Sequence, residues 1–484
     1  MTDERTRTAP PCALVVFGAS GDLTARKLMP AVAQLARRGQ LPDEFTVVGV
    51  ARTEMDESEF RDRIGEAVEE QDEAWKKVLS RFRYVAGDYG EEETFHRLER
   101  TLKDVDRDLG TNGSRVYYLA TPPGVFDDVA HGLARRGLSS QENGSFARLV
   151  IEKPFGHDLA SAEELDRGLH ACFAEDQIYR IDHYLGKETV QNVLALRFAN
   201  VIFEPIWNRR YVDHVQITVA EEAGIGHRGS FYETAGALRD IVQNHVLQVL
   251  SLVAMEPPSR MEAEAIRDEK VKVLHAVDIL EPGEVPDHVV RGQYEGYLQE
   301  EGVDPESRTE TFVAMRLMVD NWRWAGVPFY VRTGKRLAKR VTEVMMQFKP
   351  VPHLPFSNNL TRELTPNDLV VRIQPDEGIA LQFGAKVPGP EFRIRDAELD
   401  FSYAEEFDEE PPEAYERLLL DAMLGDPTLF IRSDEVRQAW RVVEPLLEQW
   451  SDGATPLHGY AAGTWGPEAS DQLLARDGHL WRNP

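Results

Sequence analysis

The sequence predicts an α/β fold followed by an α+β fold: a parallel sheet built from βαβ units, then a larger β+α part with a mainly antiparallel sheet. Three observations predict it. Short apolar runs alternate with helical stretches through the first third of the chain. After about Asp182, strand-like runs follow one another without intervening helices. The composition is globular, with 484 residues of which 42% are apolar and 29% charged. That supplies a sizeable core and is too apolar for disorder. The change of pattern divides the chain into 1–181 and 182–484.

The elements follow in order. Ala13–Phe17 reads as the first strand, ending in Gly18-Ala19-Ser20-Gly21-Asp22. A helix is expected over Thr24–Arg38, stopped by Gly39. Phe45–Val50, Arg115–Ala120 and Arg148–Ile151 are the next strands, the last two closed by Thr121-Pro122-Pro123 and Glu152-Lys153-Pro154. In the second part, Val190–Phe198 and Ala235–Met255 read as helical, and Val212–Ala220, Glu310–Val319, Val344–Phe348 and Leu369–Gln374 as strands. Loops are expected at 281–286 and 350–366, and the acidic run 405–410 before Pro411-Pro412 reads as a solvated loop.

Charge and cysteine content narrow the class. Lys and Arg total 55 against 83 Asp and Glu, a net charge of −28. Such a chain is a poor partner for nucleic acid, and cations clustered within it carry information. Cys12 and Cys172 are the only cysteines and read as reduced thiols. The polar start lacks the apolar core of a signal peptide. The most apolar run, Val246–Met255, has ten residues, against the ~20 a bilayer span needs. The expectation is a cytoplasmic protein without a membrane segment.

Gly18-Ala19-Ser20-Gly21 follows a strand and opens a helix, a place where glycines admit a pyrophosphate and unpaired N–H groups face it. Ser20 departs from the G-x-G-x-x-G spacing. Past the second strand stands Arg52, with no acid until Glu54. An acid there would bind a ribose 2′-hydroxyl; a guanidinium suits a 2′-phosphate, and hence NADP, with a hydroxyl from Ser20.

Three further segments carry candidate chemistry. Arg180–Glu188 (RIDHYLGKE) holds an acid, a histidine and a lysine close together. In a helix or tight turn, His183 and Lys187 share a face and could grip one phosphate, while Asp182 points about 100° away. His245 lies on the expected long helix, where Asp240, five residues earlier, would point about 140° away. Asp182 could orient it instead. Lys153, at the carboxyl end of a strand, faces a ligand crevice and precedes a proline that can take the cis form. The basic run Arg332–Arg340 is either a solvated patch or a second wall of an anion site.

Together these segments resemble the glucose-6-phosphate dehydrogenase family, bacterial type, from about Ala13 to Gly466. RIDHYLGKE is joined in order by GASGDL, EKPFG, LRDIVQNH, NWRWAGVPFY, RTGKRL and AGTWGP. The resemblance implies a Rossmann coenzyme domain, then a β+α domain whose antiparallel sheet forms a dimer interface. It implies His245 as general base and Asp182 as its orienting acid. His183, Tyr184 and Lys187 would bind the sugar phosphate. Glu221 and Asp240 would hold sugar hydroxyls, with Lys335, Lys27 and Lys153 near the substrate. Gly18, Ser20, Gly21, Asp22, Leu23, Arg52, Asp88, Tyr89 and Lys153 would serve the coenzyme. Relatives often carry a second substrate lysine five residues past the TGK lysine; here that position is Arg340, preceded by Lys339.

The implied reaction is oxidation of glucose 6-phosphate at C1 to the 6-phosphogluconolactone with NADP, and NAD as a weaker alternative. It is the first step of the oxidative pentose phosphate pathway. No metal is implied, and a homodimer or homotetramer is expected. Two rivals stand beside this reading. Another Rossmann sugar oxidoreductase would lack the RIDHYLGKE grip. A catalytically silent NADP-binding protein would lack the base or phosphate residues.

Overall fold

The computed structural model describes residues 7–281, 283–356, 364–407, 413–451, 453 and 455–484. The polar start before Arg7, parts of both expected loops, and the acidic run from 408 onward lie outside the described residues. The chain forms two compact units. The first comprises Met1–Gly186, Arg260–Arg267 and Pro412–Arg437; the second comprises Lys187–Ser259, Asp268–Pro411 and Gln438–Pro484.

The first unit is built on β1 (Cys12–Phe17), β2 (Phe45–Ala51), β3 (Arg83–Ala86), β4 (Arg115–Leu119), β5 (Ala147–Ile151) and β6 (Ile178–Ile181). They lie in the order β6-β5-β4-β1-β2-β3, all parallel, and Phe430–Ile431 adds an antiparallel edge to β6. This is the Rossmann order, reversing between β1 and β4. β1, β2 and β4 are buried throughout, as near-continuous apolar runs require when helices cover both faces of a sheet. Helices cross between them, including Met29–Arg37, Glu57–Glu66, Glu92–Leu109 and Phe126–Arg135. Asp56 starts one through a reciprocal cap with Glu59, and Gly110, with φ of 79°, ends another. The expected helix from Thr24 begins as a π turn, Thr24–Leu28, before the α register sets in.

The second unit is built on β7 (Val212–Ala220), β8 (Val289–Tyr294), β9 (Phe312–Met318), β10 (Pro328–Gly334), β11 (Val341–Phe348), β12 (Asp368–Gln374), β13 (Gly378–Lys386) and β14 (Ile394–Ser402). The sheet runs β14-β13-β12-β11-β7-β10-β9-β8, with Leu457–Tyr460 on the far edge. It is antiparallel except for β7 with β10 and Leu457–Tyr460 with β8. The expected long helix is three pieces. Gly229–Ala237 bends at Gly236 (φ 61°, ψ 178°), Leu238–Val246 is wound in π register, and Leu247–Ala254 returns to α. The π piece packs on β7 and β10. The unit also holds an aromatic core with Tyr232, Tyr294, Tyr297, Phe312, Tyr330 and Tyr460. Among the described residues no helix is long and apolar enough to cross a membrane, and Cys12 and Cys172 are free thiols.

Candidate active site

In the first unit the candidate residues collect at the carboxyl ends of the strands, where open α/β sheets bind ligands. Gly18 takes a φ of +85°, and a Cβ there would sit 2.3 Å from the Ala120 carbonyl oxygen. Only glycine lets β1 leave the sheet this close to the end of β4. Its N–H donates to the Val50 carbonyl at 2.9 Å and to the Tyr89 hydroxyl at 3.0 Å. Gly21 N–H donates back to Gly18 O at 2.9 Å, and Thr24 Oγ1 donates to the same oxygen at 3.0 Å. Leu23 begins the following turn with no side-chain cap, so its leading N–H groups are not taken by one. Tyr89, expected at the coenzyme, is a buried brace for this loop, while Asp88 and Asp22 are exposed.

Arg52 is exposed just past β2. Beside this strand end, Thr53 Oγ1 donates to Ser20 Oγ at 3.0 Å, and Arg63 donates to the Ser20 carbonyl at 2.7 Å. Sequence spacing missed Arg63, which reaches the loop from the helix Glu57–Glu66. Two hydroxyls and two guanidiniums at the tip of the second strand fit the phosphate of NADP.

Lys153 follows β5 and precedes a cis peptide to Pro154. Its neighbour Glu152 is half-buried; Oε1 accepts from Tyr118 at 2.5 Å and from Tyr415 at 3.1 Å. Burial pushes the Glu152 carboxyl above its usual range, against the pull of the two phenols and Lys153. Asp182 is 1% exposed, and its Oδ1 accepts from the Tyr184 N–H at 2.9 Å. The Leu185 N–H closes on the Asp182 carbonyl at 3.0 Å. Residues 183–186 are therefore a tight turn, not the helical alternative. His183 packs edge-on against Tyr184. Lys27 is exposed, 3.3 Å from Glu413 Oε2.

In the second unit, Lys187 precedes the helix Glu188–Phe198. Its ammonium donates to Gln374 Oε1, and Gln374 Nε2 donates to Thr342 Oγ1 at 2.9 Å. Neither partner was marked by any motif. Glu221, just past β7, and Asp240 converge on Lys335: Nζ lies 2.6 Å from Glu221 Oε1 and 3.6 Å from Asp240 Oδ2. His245 is 1% exposed on the same π piece as Asp240. A π register bonds residue i to i+5, so residues five apart stack along the segment. The ~140° separation expected for Asp240 and His245 on an α-helix is corrected accordingly. The basic run also divides. Arg332 is 0% exposed and lies between the rings of Trp465 and Trp481, whereas Arg336, Lys339 and Arg340 are exposed. Arg332 is thus a core residue, neither a solvated charge nor a wall of an anion site.

Two other clusters gather histidines and carboxylates. Asp166 and Glu175 share the guanidinium of buried Arg180, and His170 lies against both acids. His214 and His479 stack at 4.1 Å and share Asp213 Oδ2.

This fold and these residues define a dinucleotide-binding oxidoreductase. Family models for the NAD-binding domain and the C-terminal domain of glucose-6-phosphate dehydrogenase match residues 15–192 and 194–482. The chain belongs to the glucose-6-phosphate dehydrogenase family. It is 49% identical over 494 residues to "Glucose-6-phosphate 1-dehydrogenase 2" of Mycobacterium tuberculosis, covering 99% of this chain and 96% of that one. It is 47% identical to "Glucose-6-phosphate 1-dehydrogenase" of Aggregatibacter actinomycetemcomitans, covering 98% of each. Among solved structures, a glucose-6-phosphate dehydrogenase in complex with its substrate glucose-6-phosphate aligns with TM-score 0.91 at 35% identity, covering 99% of this chain and 100% of that one. The Mycobacterium avium glucose-6-phosphate 1-dehydrogenase aligns with TM-score 0.85 at 40% identity, covering 98% and 99%.

Proposed function

We propose that this protein oxidises D-glucose 6-phosphate at C1 to 6-phospho-D-glucono-1,5-lactone with NADP, using NAD less well, as the first step of the oxidative pentose phosphate pathway. The observation that carries the reading is the cluster of buried Lys335 with half-buried Glu221 and Asp240, on the unit that follows a dinucleotide-binding one. Carboxylates paired with a buried lysine are suited to sugar hydroxyls, which need acceptors and donors in fixed positions.

His245 takes the proton of the C1 hydroxyl while C1 loses a hydride and its electron pair, leaving a C1 carbonyl. Asp182 sets the tautomer of His245 and stabilises its imidazolium. His183, Tyr184 and Lys187 hold the phosphate, and Gln374 fixes the Lys187 ammonium. Lys153, Lys27, Lys335 and Arg340 or Lys339 complete the positive surroundings of the substrate. NADP, when bound, supplies the hydride acceptor. Gly18, Ser20, Gly21, Asp22 and Leu23 cradle its pyrophosphate, Arg52 with Arg63 and Thr53 holds its 2′-phosphate, and Asp88 and Tyr89 shape that wall.

Residues 1–181 serve the coenzyme and 182–484 the substrate and self-association, as a homodimer or homotetramer in the cytoplasm. The test is absorbance at 340 nm with NADP or NAD and a panel of sugars. Reduction with glucose 6-phosphate, and not with glucose, is expected. Turnover of unphosphorylated sugars alone would mean the rival oxidoreductase, and no turnover with any sugar a silent binding protein.

A further inference from the structure

The hydroxyl of Tyr232 is the anomaly of the second unit. Tyr232 is 1% exposed, inside the aromatic core on the helix Gly229–Ala237. Its oxygen is buried without a hydrogen-bond partner. Buried polar atoms are nearly always satisfied, and one that is not signals a cost retained for a reason.

Its neighbours are charged and satisfied. Lys335 Nζ lies 5.6 Å from the Tyr232 ring centroid and is engaged by Glu221 and Asp240. Glu310, also buried, accepts the Leu238 N–H at 3.0 Å where the π piece begins. Tyr460 donates to the Lys335 carbonyl at 2.7 Å. The charges of Asp240, Glu310 and Glu221 all bear on the Tyr232 phenol, Asp240 the most strongly of the three. Burial and these acids hold the phenol well above its ordinary pKa, so it is a protonated donor at any working pH.

Each carboxylate keeps lone pairs beyond those that face Lys335, so Asp240 and Glu221 can accept sugar hydroxyls while the lysine stays between them. The buried phenol beside this cluster can then add a further donor to Asp240 as that carboxylate turns to the hexose. We infer that Tyr232 is a positioning residue for the substrate: in the bound arrangement its hydroxyl donates to Asp240 and fixes that carboxylate against the hexose. This rests on the proposed function above and deepens it, naming a residue that acts through Asp240.

Tyr232→Phe removes the oxygen and keeps the ring, so the core stays filled. The expected result has two parts. KM for glucose 6-phosphate rises roughly tenfold, as for a lost hydrogen bond to a charged group, while the Kd for NADP, measured by fluorescence titration, is unchanged. At the same time Tm stays level or rises, because an unsatisfied buried oxygen has gone. A merely structural hydroxyl would give the opposite pattern: lower Tm and unchanged KM. Unchanged KM in an otherwise active enzyme, whatever the Tm, overturns this inference alone. A wild-type protein inactive with glucose 6-phosphate overturns the function on which it rests, and this inference with it.

Discussion

The ammonium of Lys335 lies 2.6 Å from Glu221 Oε1 and 3.6 Å from Asp240 Oδ2, with the lysine side chain only 3% exposed. A buried cation held this way offsets the charge of both carboxylates. Lys335→Ala strands both. Breaking a buried pair costs about 3–5 kcal/mol, and the low end applies because Glu221 is 31% exposed. Thermal melting should show a Tm several degrees lower, and KM for glucose 6-phosphate should rise. A variant with unchanged Tm and KM would refute the role.

His245 sits in the π piece with its ring enclosed. His245→Asn keeps the volume and loses the base. General-base help is worth ~10²–10⁴-fold, so kcat should fall by at least that range with KM for the sugar phosphate near wild type. Steady-state kinetics with saturating NADP decides it; an undiminished kcat removes His245 from the chemistry.

Arg63 donates to the Ser20 carbonyl, and Arg52 stands past β2 next to Thr53, whose hydroxyl donates to Ser20 Oγ. Arg52→Ala should raise KM for NADP by roughly tenfold or more, the worth of a charge-assisted hydrogen bond, and leave KM for NAD nearly unchanged. Arg63→Ala should act in the same direction but disturb NAD as well, because its guanidinium also holds the Ser20 carbonyl. Equal losses for both coenzymes in Arg52→Ala would contradict the 2′-phosphate assignment.

Gly18 and Gly39 make a matched pair of probes. Both have positive φ, +85° and +65°, but a Cβ at Gly18 meets Ala120 O at 2.3 Å and one at Gly39 meets nothing within 4 Å. Gly39→Ala should cost about 1 kcal/mol, the strain of a left-handed residue alone. Gly18→Ala should cost clearly more and abolish coenzyme binding. Chemical denaturation of the two variants, side by side, separates clash from strain.

Glu152 supplies a pH prediction. Its folded-state pKa is raised, chiefly by burial. The folded protein therefore binds this proton more tightly than the unfolded chain. Stability from this group is present at and below the ordinary carboxylate pKa and is lost as pH rises through the elevated value. Glu152→Gln removes the titration while keeping an acceptor for Tyr118 and Tyr415. The Tm difference between Glu152→Gln and wild type should shift in favour of the variant from pH 5 to pH 8. A difference that is flat across that range would show that Glu152 does not titrate.

What was legible in the chain follows from burial. β1, β2, β4 and β5 are covered on both faces, so each reads as an apolar run and was expected within a residue or two of its bounds. β3 and β6 have four residues each, and β6 carries Arg180, a buried cation whose acids lie elsewhere in the chain. β13 and β14 are half-exposed and polar, with Leu399 61% exposed, so apolar alternation is weak there. The π register of Leu238–Val246 carries the same apolar spacing as an α-helix, and nothing in the residues distinguishes the two. At the candidate site, motif residues such as Asp182, His245 and Lys335 stood out by their neighbours in sequence. Gln374 and Arg63 did not, because each meets a partner distant in sequence.

The first unit borrows Pro412–Arg437 from far along the chain, including the edge strand Phe430–Ile431 and Tyr415, which binds Glu152. During synthesis the nascent coenzyme unit must wait for about 250 residues beyond Gly186 before its sheet edge and this acid are covered. An isolated fragment ending near residue 186 would carry an open strand and an under-coordinated carboxylic acid, a species prone to self-association. This coenzyme unit is therefore not a detachable module, and a domain transplant would have to bring the late segment with it.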